Sequence, residues 1–173
     1  LIISEALWAG TYDGSSHSSD EFIELKNNSS YYLDLSSCSI QIGETAVAID
    51  SDEMISSVSF IDKKLAPGEY FVIANYDTYL FSAVQIPDSN IVFDSDVSLS
   101  NEERYIFLLN SGAAIDTFHY ITDGSNGLSG STEKRSAVLL STDSVGTSSN
   151  DIAVGNYAAF TYCSPGYGAS GEK

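Results

Sequence analysis

The fold of this chain is decided by residues 21–27, which read EFIELKN. Side chains alternate along this stretch, so Ile23 and Leu25 share one face of an extended segment while Phe22 and Glu24 share the other. Such alternation is typical of a half-buried strand in an antiparallel sheet. The polar run Asn-Asn-Ser-Ser at 27–30 then signals a turn. The sequence therefore predicts a strand over residues 21–26.

Short apolar segments of this kind recur along the chain, separated by clusters of turn-forming residues such as Pro67-Gly68 and residues 110–112. Strands are predicted over residues 2–7, 21–26, 39–42, 55–61, 69–74, 91–93, 105–109, 114–121, 137–140 and 157–162. The pattern predicts one or two helical turns at 77–83, long polar loops at 11–20, 123–133 and 142–151, and no definite structure at 43–54. The predicted core comprises Ile3, Ile23, Leu25, Ile40, Val72, Phe107, Leu109 and Phe118. Strands at this spacing favour an all-β sandwich or barrel.

Composition is that of an ordinary globular domain. The chain has 173 residues, of which 43% are hydrophobic and 18% charged. Aromatic and β-branched residues are too frequent for a disordered chain, and no apolar run approaches the ~20 residues of a membrane helix. We expect one domain over residues 1–167, a flexible tail over 168–173 and no transmembrane segment in this chain.

The charge balance is strongly acidic. The 24 Asp and Glu residues outnumber the 7 Lys and Arg residues, which gives a formal net charge of −17 at pH 7. Such a surface repels phosphate backbones, so no direct nucleic-acid binding is expected. It attracts divalent cations or basic partners, and it also keeps a secreted domain soluble and monomeric. We expect a monomer.

Several fragments, in the same order along nearly the whole chain, resemble the lamin-tail domain family. They are residues 2–6 (IISEA), 21–27 (EFIELKN), 33–40 (LDLSSCSI), 65–74 (LAPGEYFVIA), 98–101 with 105–110, 114–120 (AIDTFHY) and 163–166 (CSPG). The resemblance implies an immunoglobulin-like antiparallel β-sandwich. Two departures stand out: Cys38 replaces the usual Trp of the third strand, and the middle loop is expanded over 43–54.

Location and partner follow from the same resemblance. Bacterial members of the family look like secreted or cell-surface accessory modules. We therefore expect an extracytoplasmic module whose partner is a protein or a cell-envelope component. Leu1 begins inside an apparent strand without a charged leader, which fits a removed signal peptide, a removed lipoprotein leader that left a lipid anchor, or an excised domain.

Residues that could carry catalysis are sparse. His17 lies in a polar stretch and His119 on a predicted strand. Residues 124–130 (GSNGLSG) approach the Gly-x-Ser-x-Gly pattern, but their spacing is wrong and the strand–turn–helix context is missing. No Cys or His cluster has zinc spacing. We expect no enzymatic activity.

Acidic loops and tyrosines leave a calcium- or glycan-binding β-sandwich module as the alternative function. Calcium takes six to eight oxygen ligands, which loop carboxylates supply well, and Asp94 with Asp96 is the best candidate pair. Tyrosine rings can stack on sugar faces, and the candidates are Tyr31-Tyr32 and Tyr76 with Tyr79. The other interpretation places these tyrosines at strand edges with their hydroxyls in water.

The two cysteines predict a disulfide between Cys38 and Cys163, because an even count suits an exported chain. The resemblance puts both ends of the chain in one body, and the long closed loop would add about 4–5 kcal/mol. The alternative is two buried thiols, with Cys38 filling part of the usual Trp site. Alkylation of the unfolded, unreduced protein followed by intact mass should show no label. Two labelled thiols would refute the bond.

Overall fold

A computed structural model describes residues 1–12, 16–43, 54–55, 63–76, 86–99, 104–120, 136–139 and 152–154. Within these ranges the chain forms β-strands and one 3-10 turn, Asp88–Asn90. None of the described segments contains a helix long and apolar enough to cross a membrane. The prediction of an all-β fold is confirmed.

Ten of the described strands form two sheets. The larger sheet has the spatial order β10 (Ile91–Phe93), β9 (Tyr70–Ala74), β4 (Phe22–Lys26), β1 (Ile2–Leu7), β13 (Ala137–Leu139) and β14 (Ile152–Val154). The second has the order β12 (Ala113–Tyr120), β11 (Arg104–Asn110), β6 (Cys38–Gly43) and β7 (Met54–Ile55). Two short pairs join β2 (Thr11–Tyr12) to β3 (Ser16–His17) and β5 (Leu33–Asp34) to β8 (Lys64–Leu65). Every pairing is antiparallel except that of β9 with β10.

The main core draws on both sheets. Ile23 and Leu25 of β4 share it with Ile40 of β6 and Ile106 of β11. All eight residues predicted for the core are buried. Val72, however, belongs to a second cluster with Leu7, Phe22 and Ala74, on the opposite face of the larger sheet.

Strand β4 is therefore buried on both faces, and the prediction of a half-buried strand is wrong. Phe22 and Glu24 are 0% and 1% exposed. Alternation of side chains shows which residues share a face, but it does not show whether that face meets water. A glutamate can be buried when hydrogen bonds compensate its lost hydration, and Ser4 Oγ donates to Glu24 Oε1 at 2.6 Å.

A β-bulge in β1 sets which of its residues face the main core. Ile3 pairs with Leu25 and Glu5 pairs with Glu24, so Ser4 is the extra residue. Simple alternation would place Ile3 and Ala6 on opposite faces. The bulge lets both join the main core, while Glu5 comes to lie opposite Glu24.

Two predicted turns are confirmed, and each depends on a glycine. At residues 66–69 the amide of Glu69 donates to Ala66 O at 3.1 Å, with Pro67 second and Gly68 third at φ 80°, the pattern of a type II turn. At 110–113, Ser111 and Gly112 have φ of 51° and 80°, as a two-residue type I′ hairpin requires.

Other predictions differ from the structure or lie beyond it. The predicted loop 11–20 contains β2 and β3, and β5, β8 and β14 were not predicted. These strands are only two or three residues long, too short for periodicity to reveal. The segments 77–83, 123–133, 142–151, 157–162 and the tail 168–173 lie outside the described residues, as does most of 43–54 and 55–61.

A side chain from the second sheet ties down β1. The amide of Ile3 donates to Asp116 Oδ2 at 2.6 Å, which links β1 to β12. Burial raises the pKa of Asp116 above its ordinary value of 3.8, although hydrogen bonds from the Ile3 and Thr117 amides act in the opposite direction. The Asp116 carboxylate is thus a good hydrogen-bond acceptor for the Ile3 amide, but its ionisation at this buried position costs free energy.

Asp116→Asn and Asp116→Ala should separate the contribution of the hydrogen bond from the cost of ionising the buried carboxyl group. The Ala variant leaves the Ile3 amide without its acceptor, so its free energy of unfolding should lie about 1–3 kcal/mol below that of the Asn variant at every pH. The Asn variant keeps an acceptor and carries no charge. An acid with a raised folded-state pKa lowers the stability of the parent protein as pH rises from the unfolded value, near 3.8, through the folded value.

Urea unfolding between pH 3 and pH 7 should therefore show the Asn variant gaining on the parent protein as pH rises. A difference that does not change with pH, or an Ala variant as stable as the Asn variant, would contradict this account of Asp116.

Candidate functional site

Two neighbouring tyrosines stand out on the described surface. Tyr31 and Tyr32 are 75% and 74% exposed, the highest values among the large hydrophobic side chains whose exposure the structure describes. They lie in the tyrosine loop, residues 28–32, which joins β4 to β5. Tyr76, the other predicted candidate within those ranges, is 50% exposed, and Tyr79 lies outside them. The structure thus leaves both rings of the loop open to a ligand.

The tyrosine loop is held by the buried side chain of Asn27, the last residue before it. Asn27 Nδ2 donates to Tyr31 O at 2.7 Å and to Leu65 O at 2.9 Å. Asn27 Oδ1 accepts from the Ser29 amide at 2.9 Å and from Ser29 Oγ at 2.7 Å. One amide group therefore closes the loop on itself and fastens it to the segment that contains β8.

Backbone bonds fix the other side of the same residue. The Asn27 amide donates to Glu69 O at 3.0 Å, and Asn27 O accepts from the Gly68 amide at 2.9 Å. Both partners belong to the proline turn, residues 66–69. The turn is closed in addition by Glu69 Oε2, which accepts from the Ala66 amide at 2.7 Å. The tyrosine loop and the proline turn therefore form one hydrogen-bonded unit.

Three lysines lie in the chain segments that border this unit. Lys26 precedes Asn27, and its Nζ lies 5.0 Å from the centre of the Tyr70 ring, a cation–π contact. Lys64 is exposed and pairs with Asp34 across the β5–β8 ladder. Lys63 O accepts from the Leu35 amide at 2.9 Å. Three of the chain's seven Lys and Arg residues thus lie in the segments that border the loop.

The two acidic residues of this region take part in its turns. Hydrogen bonds from Ser36 lower the pKa of Asp34 from its ordinary value, and Lys64 acts in the same direction. Asp34 Oδ1 accepts from the Ser36 amide at 2.9 Å. Glu69 closes the proline turn. Asp34 therefore stays ionised at neutral pH, and both carboxylates help to hold the backbone in place.

The predicted calcium ligands lie in one turn after β10. Asp94 O accepts from the Val97 amide at 3.0 Å, and Asp94 Oδ1 accepts from the Asp96 amide at 3.0 Å. Asp94 is half-buried and Asp96 is exposed. Within the described ranges no group of three or more His, Cys, Asp or Glu residues is placed to hold a metal ion. Calcium binding at this pair stays a prediction.

A carboxylate pair that the sequence did not single out lies inside the larger sheet. Glu5 and Glu24 are direct cross-strand partners and are 0% and 1% exposed. Ser4 Oγ donates to Glu24 Oε1, and Ser136 Oγ donates to Glu5 Oε1. Because both side chains are closed off from solvent, they serve the packing of β1 and β4 and do not form an open site.

His119 lies against a tyrosine on β11. Its ring is stacked on that of Tyr105, with centroids 3.9 Å apart and planes 4° from parallel. His119 is buried, 5% exposed. The imidazole therefore packs within the sheet. His17 lies on β3.

Cys38 begins β6 and packs, half-buried, against the main core. Burial raises the pKa of its thiol above the ordinary value. Cys163 lies outside the described residues, so the disulfide stays a prediction.

Comparison with known proteins adds no assignment: no protein-family model matches the chain, and no curated protein is detectably similar to it. The lamin-tail resemblance stays a prediction.

Replacing Asn27 by Ala should loosen the tyrosine loop. Four side-chain hydrogen bonds at a buried position are lost, so the free energy of unfolding should fall by about 2–4 kcal/mol. Amide hydrogen exchange should rise at residues 28–32 before global unfolding. The matched control is Ser30→Ala at an exposed position of the same loop, with an expected change within about 0.5 kcal/mol. Equal losses in the two variants would remove Asn27 from its anchoring role.

Proposed function

We propose that this chain is a non-catalytic interaction module of lamin-tail type, with an immunoglobulin-like sandwich, that acts outside the cytoplasm. It binds a protein or cell-envelope component through the tyrosine loop. The observation that carries the proposal is the exposure of Tyr31 and Tyr32 on a loop whose backbone is fixed by Asn27.

Exposed tyrosines on a rigid loop suit recognition. Tyrosine is enriched among the residues that dominate binding energy, since its ring offers a large contact area with few rotatable bonds. Ordering a loop on binding costs free energy, and that cost is smaller when the loop is already ordered. The bonds around Asn27 order the backbone of residues 28–32 before any partner arrives. The two rings can therefore give most of their contact energy to binding.

The titratable groups of the interior support a role without catalysis. A reaction centre needs an acid, base or nucleophile that can reach its substrate. Glu5, Glu24 and His119 are buried and lie against serine hydroxyls or an aromatic ring. The features open to solvent in the described ranges include the tyrosine loop and Lys64 beside it.

The glycan-binding alternative uses the same two rings. An exposed aromatic face can stack on the C–H face of a sugar as well as on a protein side chain. Both versions of the proposal therefore predict that binding depends on Tyr31 and Tyr32. Calcium binding would use Asp94 and Asp96 in a separate turn, and it would not respond to changes in the loop.

The double variant Tyr31→Ser/Tyr32→Ser tests the proposed surface. Both rings are exposed, so the variant should keep the parent's melting temperature within a few degrees. Its binding to envelope fragments of the source cells, measured by co-sedimentation, should weaken at least about tenfold because two recognition residues are lost.

Ile115→Ser is the control, since it removes an exposed apolar side chain of β12, outside the candidate tyrosines. It should bind like the parent protein. Undiminished binding by the double variant, or an equal loss in the control, would overturn the tyrosine loop as the binding surface.

A further inference from the structure

We infer that the partner of the tyrosine loop is an acidic polysaccharide, with the rings of Tyr31 and Tyr32 stacked on sugar faces and the neighbouring lysines paired with sugar carboxylates. This inference rests on the proposed function and names the chemical class of its partner.

The charge of the segments around the tyrosine loop differs from the charge of the whole chain. Residues 26–36 and 63–70 contain three lysines and two acidic residues, and Asp62 directly before Lys63 brings the sum to zero, whereas the whole chain carries −17. At physiological ionic strength the Debye length is about 8 Å, so distant charges are largely screened. An anionic group beside the tyrosine loop is therefore governed by the lysines near it. Elsewhere on this acidic chain the same group is repelled.

The fold brings the lysine segment to the tyrosine loop from a distant part of the sequence. Lys63 and Lys64 are more than thirty positions from the tyrosines in sequence. The β5–β8 ladder pairs Asp34 with Lys64, and Asn27 Nδ2 bonds both Tyr31 O and Leu65 O. These bonds bring the lysine segment against the loop. Lys26 approaches from the end of β4. The segments that carry the three lysines thus border the loop that carries the two rings.

The polar residues of the tyrosine loop favour a sugar chain over a peptide as the partner. Protein hot spots are ringed by contacts that exclude water, and side chains of a bound peptide need pockets to fill. In the same loop, Asn28 and Ser30 are polar and exposed. A sugar chain fits such a surface, because it presents C–H faces to aromatic rings and hydroxyls to polar groups. Its carboxylates then suit the flexible ammonium groups of lysine.

Calorimetric titration with a short oligogalacturonate and with its methyl ester tests the inference. The two probes share one sugar backbone, and esterification removes the negative charge. The acidic probe should bind more tightly, by about threefold to tenfold, as expected for two exposed charge pairs. Tyr31→Ser/Tyr32→Ser should abolish measurable binding of both probes, whereas Ile115→Ser, at an exposed position of β12, should leave both unchanged.

Lys63→Gln/Lys64→Gln isolates the charge. This variant should bind the acidic probe about as weakly as the parent protein binds the ester, and its affinity for the ester should not change. If the parent protein binds both probes equally, the role of the lysines is overturned. If neither sugar binds, the inference is overturned, and binding of a polyglutamate peptide in their place would identify an acidic protein segment as the partner class.

Failure of this inference can be told from failure of the proposed function. Loss of envelope binding in the tyrosine double variant, together with no binding of either sugar, overturns the polysaccharide and leaves the binding surface in place. Envelope binding that does not depend on the tyrosines overturns the surface itself, and the inference falls with it.

Discussion

The fold depends on satisfying the polar groups that β4 and its flanking residues bury. This strand lies in the middle of the larger sheet, between β1 and β9, and both of its faces are buried. A buried polar group without a hydrogen bond costs roughly 1–3 kcal/mol. Glu24 therefore needs Ser4, and Asn27 needs the tyrosine loop and the proline turn. Glu21, just before the strand, accepts from the Leu99 amide at 2.8 Å and so holds a third segment.

The same constraint shapes the binding surface. Asn27 can remain buried only if its amide group finds donors and acceptors, and the loop supplies them by folding back on it. Its neighbours Tyr31 and Tyr32 are left pointing to solvent on a backbone that cannot easily collapse over them. The exposure of the two rings and the order of their backbone thus have one cause, which is the need to satisfy the buried amide group of Asn27. A loop that served only to contact a partner would not need a buried side chain such as Asn27 to hold it.

Much of the fold could be predicted because it rests on local pattern. Alternation identified β4 and its inward pair, and Pro67-Gly68 and residues 110–112 marked turns that need a glycine with positive φ. The burial of Glu24 could not be predicted, since its compensation comes from Ser4 on another strand and from a bulge that periodicity does not reveal. The candidate site also has a part that could be predicted from the sequence and a part that could not. The tyrosine pair is visible in the sequence, whereas the lysines beside it depend on a ladder between distant segments.

Net charge and local charge lead to different expectations about a partner. A total of −17 favours cations or basic proteins, and that argument holds for the average surface. Binding, however, is decided within about one Debye length of the contact. At the tyrosine loop the fold has gathered three of seven cations beside two exposed rings, and the acidic groups there are engaged in turns. The net charge of the whole chain, by contrast, disfavours anions on the average surface. An acidic polymer would accordingly meet the molecule through a short segment at the loop, held by rings and lysines, and would leave the acidic surface on either side.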